Sequence, residues 1–158
     1  MEYKYSGTKL KIGRIPYYFS TLFTLLKAMK PFTQIPFMLH IFFRRDICVT
    51  LRKNNLSFKV KTLLDELTLK EVVVDEEYES YGVKIEDSDK VVIDIGAGFG
   101  DFTVLSAKRH PQAKIFAFEP DQSYFSLLQK NVSINRVGNV IMFNKAVTSL
   151  SQLLKTIQ

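Results

Sequence analysis

The fold is decided by residues 90–100, which have the sequence KVVIDIGAGFG. The run of β-branched residues predicts a short strand, and its composition is typical of a strand buried on both faces of a sheet. The three glycines that follow predict a tight turn in which the backbone approaches a ligand closely. Phe102 then begins an amphipathic helix that ends before Pro111, so the stretch predicts a strand, a turn and a helix in succession.

The same succession continues towards the C-terminus. Residues 114–118, with the sequence KIFAF, predict a second strand, and Asp121 is placed to cap a helix that extends to Asn135. Residues 139–144 predict a third strand. Strands that alternate with helices pair in parallel, so the pattern predicts an α/β fold with a doubly wound sheet that includes three parallel strands.

The front of the chain has a different charge. Residues 1–60 contain 11 Lys and Arg residues against two acidic ones, a net charge of +9, whereas residues 61–158 have a net charge of −3. Helices are predicted at 16–29 and 36–44, followed by a β-hairpin between residues 47 and 60. We therefore predict two domains: a basic segment of helices and hairpin at 1–60, and a domain of alternating strands and helices at 61–158.

Composition excludes several classes of protein. Hydrophobic residues make up 46% of the chain and charged residues 24%, which is ordinary for a folded soluble protein. The single cysteine, Cys48, excludes a disulfide framework and fits a reducing compartment, so a cytoplasmic location is expected. With only His40 and His110, no metal site is expected. Charges and prolines interrupt the apolar segment 15–45, which fits packed helices or peripheral membrane contact better than a spanning helix.

Carboxylates flank the glycine turn and end the next strand. Asp94 precedes the turn, Asp101 follows it, and Glu119 ends the second strand. A dinucleotide site would place a pyrophosphate beside both aspartates, and it would space its glycines as Gly-x-Gly-x-x-Gly rather than Gly-x-Gly-x-Gly. S-adenosylmethionine carries a sulfonium and an ammonium group and no phosphate. The acids therefore favour S-adenosylmethionine as the cofactor, and a dinucleotide-binding half-domain is the alternative.

Three segments resemble the FkbM-type methyltransferases, which are class I enzymes that use S-adenosylmethionine. They are residues 92–103 (VIDIGAGFGDFT), 118–120 (FEP) and 144–147 (NKAV), with a similar lead-in at residues 70–78. The resemblance implies the front half of a Rossmann-like class I methyltransferase sheet and O-methylation of a sugar or small-metabolite hydroxyl. It identifies no catalytic residue. The residues that it implies for the cofactor site are Asp94, Gly96, Gly98, Gly100, Asp101, Phe102, Glu119 and Asn144.

The resemblance also implies strands that this sequence does not contain. We therefore expect a truncated or interrupted methyltransferase that is inactive by itself, with an open sheet edge at 91–95 that favours self-association. The expected partner is a small-molecule or glycan substrate. The basic front segment has no clustered Lys/Arg run and no nucleic-acid motif, so no specific nucleic acid is expected. The alternative function is a non-catalytic protein whose basic helices bind a membrane surface or an acidic polymer.

Overall fold

The computed structural model describes residues 15–35, 37, 47–52, 54–80, 82 and 84–148. Its helices are α1 (Ile15–Ala28), α2 (Leu63–Leu69), α3 (Glu77–Ser80), α4 (Asp101–Arg109) and α5 (Gln122–Asn135). Its strands are β1 (Ile47–Thr50), β2 (Ser57–Val60), β3 (Val91–Ile95), β4 (Lys114–Phe118) and β5 (Val140–Phe143). A π-helical turn, Lys70–Val74, continues α2, and residues 31–35 are also helical.

A parallel sheet of three strands forms the second half of the described chain. β4 lies in the middle, so that Phe116 pairs with Ile93 of β3 and with Ile141 of β5. α4 connects β3 to β4, and α5 connects β4 to β5. The predicted α/β fold, with three parallel strands and a preceding β-hairpin, is confirmed.

Local capping signals determine where two of the helices begin. At α2 the Thr62 hydroxyl accepts a hydrogen bond from the Asp65 N–H at 3.1 Å, and the Asp65 carboxylate accepts one from the Thr62 N–H at 3.0 Å. At α5 the Asp121 carboxylate accepts the N–H groups of Ser123 and Tyr124 at 2.8 and 2.9 Å. Both caps satisfy N–H groups that have no partner inside the helix.

β3 is not buried on both faces, so that expectation is wrong. Val91, Ile93 and Ile95 are 55%, 61% and 62% exposed. The opposite face of the sheet is covered, because Ile115 of β4 packs there against Ala107 of α4. Among the described residues β3 pairs only with β4, which leaves its other edge without a strand. An apolar sequence therefore identifies the strand but does not show how many layers cover it.

The N-terminal part packs on the sheet through one continuous core. β1 and β2 form the predicted antiparallel hairpin, with Ile47 paired to Val60. Phe58 of the hairpin is fully buried in a cluster that also contains Leu25 of α1 and Leu128 of α5. The core thus includes residues from both sides of the predicted division at residue 60, and that division stays a prediction.

The predicted front helices have different outcomes. α1 covers the range predicted for the first helix with a shift of one residue. The second helix was predicted at 36–44, which lies outside the described residues apart from Phe37. No helix in the described ranges is both long enough and apolar enough to cross a bilayer.

Two asparagines on α5 form hydrogen bonds with the backbone groups along the outer edge of the hairpin. Oδ1 of Asn131 accepts the N–H of Lys59 at 2.7 Å, and its Nδ2 donates to the carbonyls of Lys59 and Phe99 at 3.1 and 2.8 Å. Asn135 makes the same pair of hydrogen bonds with Ser57, at 2.8 and 2.7 Å. Both side chains are buried, so their amides take the place of a third strand and satisfy the backbone groups of β2.

Replacing Asn131 with alanine should lower the free energy of unfolding by about 2–4 kcal/mol, because backbone groups of Lys59 and Phe99 lose their partners. Denaturant unfolding of the purified chain, followed by circular dichroism, measures this change. Gln129→Ala, at an exposed position of the same helix, is the control and should change the free energy by less than about 0.5 kcal/mol. Equal effects of the two substitutions would show that the Asn131 bonds do not stabilise the fold.

Candidate functional site

The glycine turn between β3 and α4 has a backbone conformation that favours glycine. Gly96, Gly98 and Gly100 have φ angles of 81°, 54° and 90°. A side chain at Gly100 would also be crowded, because an added Cβ would lie 2.5 Å from Cδ1 of Leu128 in α5. At Gly96 and Gly98 no described atom lies within 4 Å of such a Cβ. This side of the turn is therefore open to a ligand.

The back of the turn is fixed by neighbouring elements. Two N–H groups at its start donate to the carbonyl of Phe118 at the end of β4, at 2.9 and 3.0 Å. Asn131 binds the carbonyl of Phe99, and the Phe99 ring packs edge-on against Phe58 of the hairpin, with 6.3 Å between centroids. The turn is thus held in one conformation by the sheet, by α5 and by the hairpin.

Glu119 follows β4 and fastens the turn from the side. Its Oε2 accepts the N–H of Gly98 at 2.7 Å, and its Oε1 accepts the N–H of Asp121 at 2.8 Å. The residue is buried, and its own N–H donates to the carbonyl of Phe143 in β5 at 3.0 Å. A carboxylate has about four acceptor positions, so about two remain for a ligand.

Asp94 and Asp101 place two carboxyl groups around the junction of β3, the turn and α4. Asp94 accepts a hydrogen bond from the Thr103 hydroxyl, and burial raises the pKa of Asp94. Oδ1 of Asp101 accepts the N–H of Phe102 at 2.8 Å, whereas its Oδ2 is buried without a hydrogen-bond partner among the described residues. Burial above all, with a further contribution from the charge of Asp94, raises the pKa of Asp101 to about 7. Such an oxygen is suited to a cationic or hydrogen-bond-donating ligand.

The other predicted site residues border the turn. Phe102 is half-buried, and its ring meets that of Tyr78 edge-on, with 5.1 Å between centroids. Asn144 follows β5, and its Nδ2 donates to the carbonyls of Glu119 and Pro120 at 2.8 and 3.2 Å. Asn144 therefore holds the carboxyl ends of β4 and β5 together.

The predicted residues lie at the carboxyl ends of three neighbouring strands, which is where open α/β sheets bind ligands. Their individual binding roles stay predictions. Three other residues that the sequence did not assign also shape this region: Thr103, Asn131 and Tyr78. A hydroxyl in the first turn of α4 is the signal that would have found Thr103. No pattern marks Asn131, because its partners Lys59 and Phe99 lie 72 and 32 residues away.

The side chains at this site fit S-adenosylmethionine. Its cationic groups would meet the carboxyl groups of Asp94 and Asp101, where a pyrophosphate would meet repulsion. The unpartnered Oδ2 of Asp101 is the observation on which this fit depends. Within the described ranges no three His, Cys, Asp or Glu side chains are grouped so that they hold a metal ion.

Residues 71–154, more than half of the chain, match the TRM5/TYW2 methyltransferase domain family. The chain is 33% identical over 75 residues to Methyltransferase 1 of Beauveria bassiana, a match that covers 48% of this chain and 29% of that protein. Among solved structures, it is similar to M. jannaschii TYW2 in complex with AdoMet, with a TM-score of 0.47, 22% identity, and coverage of 63% of this chain and 43% of that one. It is also similar to aTrm5 in complex with tRNALeu, with a TM-score of 0.43, 19% identity, and coverage of 62% and 28%. The chain thus spans less than half the length of these relatives.

The resemblance to the FkbM-type methyltransferases is wrong at the level of the family. The segments that suggested it contain the glycine turn, Glu119 and Asn144, whose hydrogen bonds close the strand ends of the sheet. Because those bonds serve the fold, the same residue types suit more than one family of methyltransferases.

The expectation of no specific nucleic-acid partner is also wrong at the level of the family, because a protein of the TRM5 kind, aTrm5, was solved in complex with tRNALeu. An RNA partner of this chain itself stays a proposal. The expectation depended on the lack of a clustered Lys/Arg run. RNA is recognised largely through its shape and its phosphates, and basic residues that are distant in sequence can contact both.

The geometry of the site and the family match point to the same class of enzyme. A glycine turn open on one side, the half-buried Asp94, the buried Asp101 and a strand-end glutamate lie at the carboxyl ends of the parallel strands, where open α/β sheets bind ligands. The predictions of a methyltransferase and of S-adenosylmethionine as its cofactor are confirmed at the level of the family. The chain belongs to the TRM5/TYW2 methyltransferase domain family.

Proposed function

We propose that this chain binds S-adenosylmethionine at the glycine turn and directs its methyl group to an RNA acceptor. The observation that carries the proposal is the buried, unpartnered Oδ2 of Asp101 beside the turn, in a chain of the TRM5/TYW2 family. The cofactor supplies an electrophilic methyl group attached to a positively charged sulfur. The residues of this chain bind and orient it.

Asp94 and Asp101 bind the methionine end of the cofactor in this proposal. Burial disfavours their ionised forms and raises the pKa of both groups. A cation beside them offsets that cost, and the methionine end carries both the ammonium and the sulfonium groups. Gly96 and Gly98 leave room for the ligand on the open side of the turn.

Glu119 binds the ribose of the cofactor in the same proposal. Two of its acceptor positions hold Gly98 and Asp121, so the turn and the carboxylate are already in register before a ligand arrives. The remaining positions accept the two ribose hydroxyls. Phe102 supplies an apolar wall at the start of α4, and Asn144 keeps the strand ends in place.

Charge and exposed aromatic rings in the front segment support an RNA acceptor. Residues 1–60 have a net charge of +9, which attracts phosphates. On α1 the ring of Phe23 is 60% exposed, with Nζ of Lys27 4.3 Å from its centroid, and Phe32 is 68% exposed. Exposed rings beside cations are the groups on which unpaired bases stack.

A hydroxyl of a sugar or small metabolite is the alternative acceptor. It is the acceptor that the resemblance to the FkbM-type methyltransferases implies, and a donor site of this kind serves either acceptor because it recognises only the cofactor. The acceptor class therefore depends on the front segment, and binding experiments with RNA distinguish the two. A cytoplasmic location stays a prediction.

Calorimetric titration of the purified chain should show that S-adenosylhomocysteine binds and that NAD binds at least about tenfold more weakly. The physical reason is the repulsion between a pyrophosphate and the carboxylates of Asp94 and Asp101. Tighter binding of NAD than of S-adenosylhomocysteine would contradict the assignment of the cofactor.

Glu119→Ala should weaken S-adenosylhomocysteine binding at least about tenfold. Each charge-assisted hydrogen bond to a ribose hydroxyl contributes about 1.5–3 kcal/mol, and 1.4 kcal/mol corresponds to one decade in affinity. Calorimetry with Glu86→Ala as the control, at an exposed acidic residue before β3, measures the difference. If both variants bind as the original chain does, Glu119 serves only to hold the turn.

Lys27→Glu should weaken binding of an unmodified tRNA transcript about threefold or more at low salt, because it reverses a charge beside the exposed ring of Phe23. Fluorescence anisotropy with labelled tRNA measures the affinity. The matched control is Lys108→Glu, at an exposed position of α4. Equal losses for both variants, or no binding of tRNA by the original chain, would favour the small-metabolite acceptor instead.

A further inference from the structure

Arg109, the last residue of α4, forms ion pairs with two glutamates in the segment that precedes β3. Its two terminal nitrogens pair with two carboxylates, Nη2 with Glu76 just before α3 and Nη1 with Glu79 within α3, the latter at 2.6 Å. Glu76 has a φ of 55°, a left-handed conformation that non-glycine residues rarely adopt. A conformation of this kind persists where surrounding contacts hold it in place. The pairs with Arg109 supply such contacts and fix the position of the residues between them.

The two ion pairs of Arg109 flank Tyr78, which lies near the other end of α4. It lies between Glu76 and Glu79 in sequence, and its ring rests edge-on against Phe102, next to Asp101. About half of the side chain, 48%, is exposed, so part of the ring is available to a ligand. Burial, and then the charges of Asp101 and Asp94, raise the pKa of Tyr78. The ring therefore lies within the field of both carboxylates.

An aromatic ring beside two carboxylates is suited to a cation. The face of the ring carries negative charge density, and cations bound to such faces gain up to about 2 kcal/mol when water is excluded. The hydroxyl keeps its proton more firmly because of the neighbouring acids, so the ring stays neutral at physiological pH.

We propose that Tyr78 is a cofactor-binding residue whose ring flanks the sulfonium of S-adenosylmethionine, and that Arg109 is the residue that positions it. The inference rests on the proposed function, because it names a further contact in the same donor site. It has a consequence for turnover. Once the methyl group has left, the sulfur is an uncharged thioether, so the ring attracts the product less than it attracts the cofactor.

The test compares S-adenosylmethionine with S-adenosylhomocysteine by calorimetry on the purified chain and its variants. The two ligands differ at the sulfur, so the ratio of their dissociation constants reports recognition of its charge. Tyr78→Ala should raise the ratio of the S-adenosylmethionine constant to the S-adenosylhomocysteine constant about three- to tenfold relative to the original chain. Tyr78→Phe, which keeps the ring, should leave the ratio within about twofold.

Two more variants separate positioning from general damage. Arg109→Gln should raise the ratio in the same direction as Tyr78→Ala, because it releases Glu76 and Glu79. Ser126→Ala removes a hydroxyl that donates within α5 to the carbonyl of Gln122 at 2.8 Å, and it should leave the ratio unchanged. Thermal unfolding of each variant confirms that it is folded at the temperature of the titration.

Three outcomes would overturn the inference. An unchanged ratio in Tyr78→Ala would show that the ring does not sense the sulfonium. A ratio in Tyr78→Phe as high as in Tyr78→Ala would assign the effect to the hydroxyl instead, and an unchanged ratio in Arg109→Gln would remove the positioning role. Failure of the original chain to bind either ligand is a different result: it would overturn the proposed donor site itself, and the inference with it.

Discussion

The side-chain amide of Asn131 joins three parts of the molecule at one buried point. Its oxygen and nitrogen complete the backbone hydrogen bonds of Lys59 in the hairpin, and the same nitrogen donates to the carbonyl of Phe99 in the glycine turn. The residue is fully buried on α5, where water does not replace these bonds. This one side chain therefore connects the hairpin, the helix and the turn.

The proposed donor site depends on this arrangement, because α5, the hairpin and β4 support the glycine turn and leave the side at Gly96 and Gly98 open. Leu128 of α5 leaves no room for a side chain at Gly100, and Phe58 of the hairpin packs against Phe99. Glu119 closes the remaining side through the N–H of Gly98. Hydrogen-bonding groups fixed before a ligand arrives cost little to order on binding. The front segment thus forms part of the wall behind the site.

The sequence was sufficient to predict the described strands and helices of the sheet, but it did not predict which residues pack around them. Alternation of strands and helices predicted the parallel sheet, and Asp121 was identified as a cap because capping is a local interaction. The glycine turn and its acids were likewise found where they were expected. The contacts of Asn131 and Tyr78 involve partners distant in sequence, which no local pattern encodes. The predictions of a β3 buried on both faces and of the FkbM-type family were wrong. An apolar run does not specify how many layers cover a strand, and a glycine motif does not specify the family.

The asparagine contacts also bear on how the hairpin behaves towards other chains. A two-stranded hairpin ordinarily has two edges whose free backbone groups recruit further strands, and such edges promote aggregation. Here the β2 edge is occupied at Ser57 and Lys59 by side-chain amides. The β1 side is occupied near its end, where Thr50 accepts the N–H of Lys30 and Arg52 donates to Ala28. Strand addition is thus blocked along the outer edge of β2 by side-chain amides, which cannot themselves extend a sheet, and at the end of β1 by the backbone around Met29.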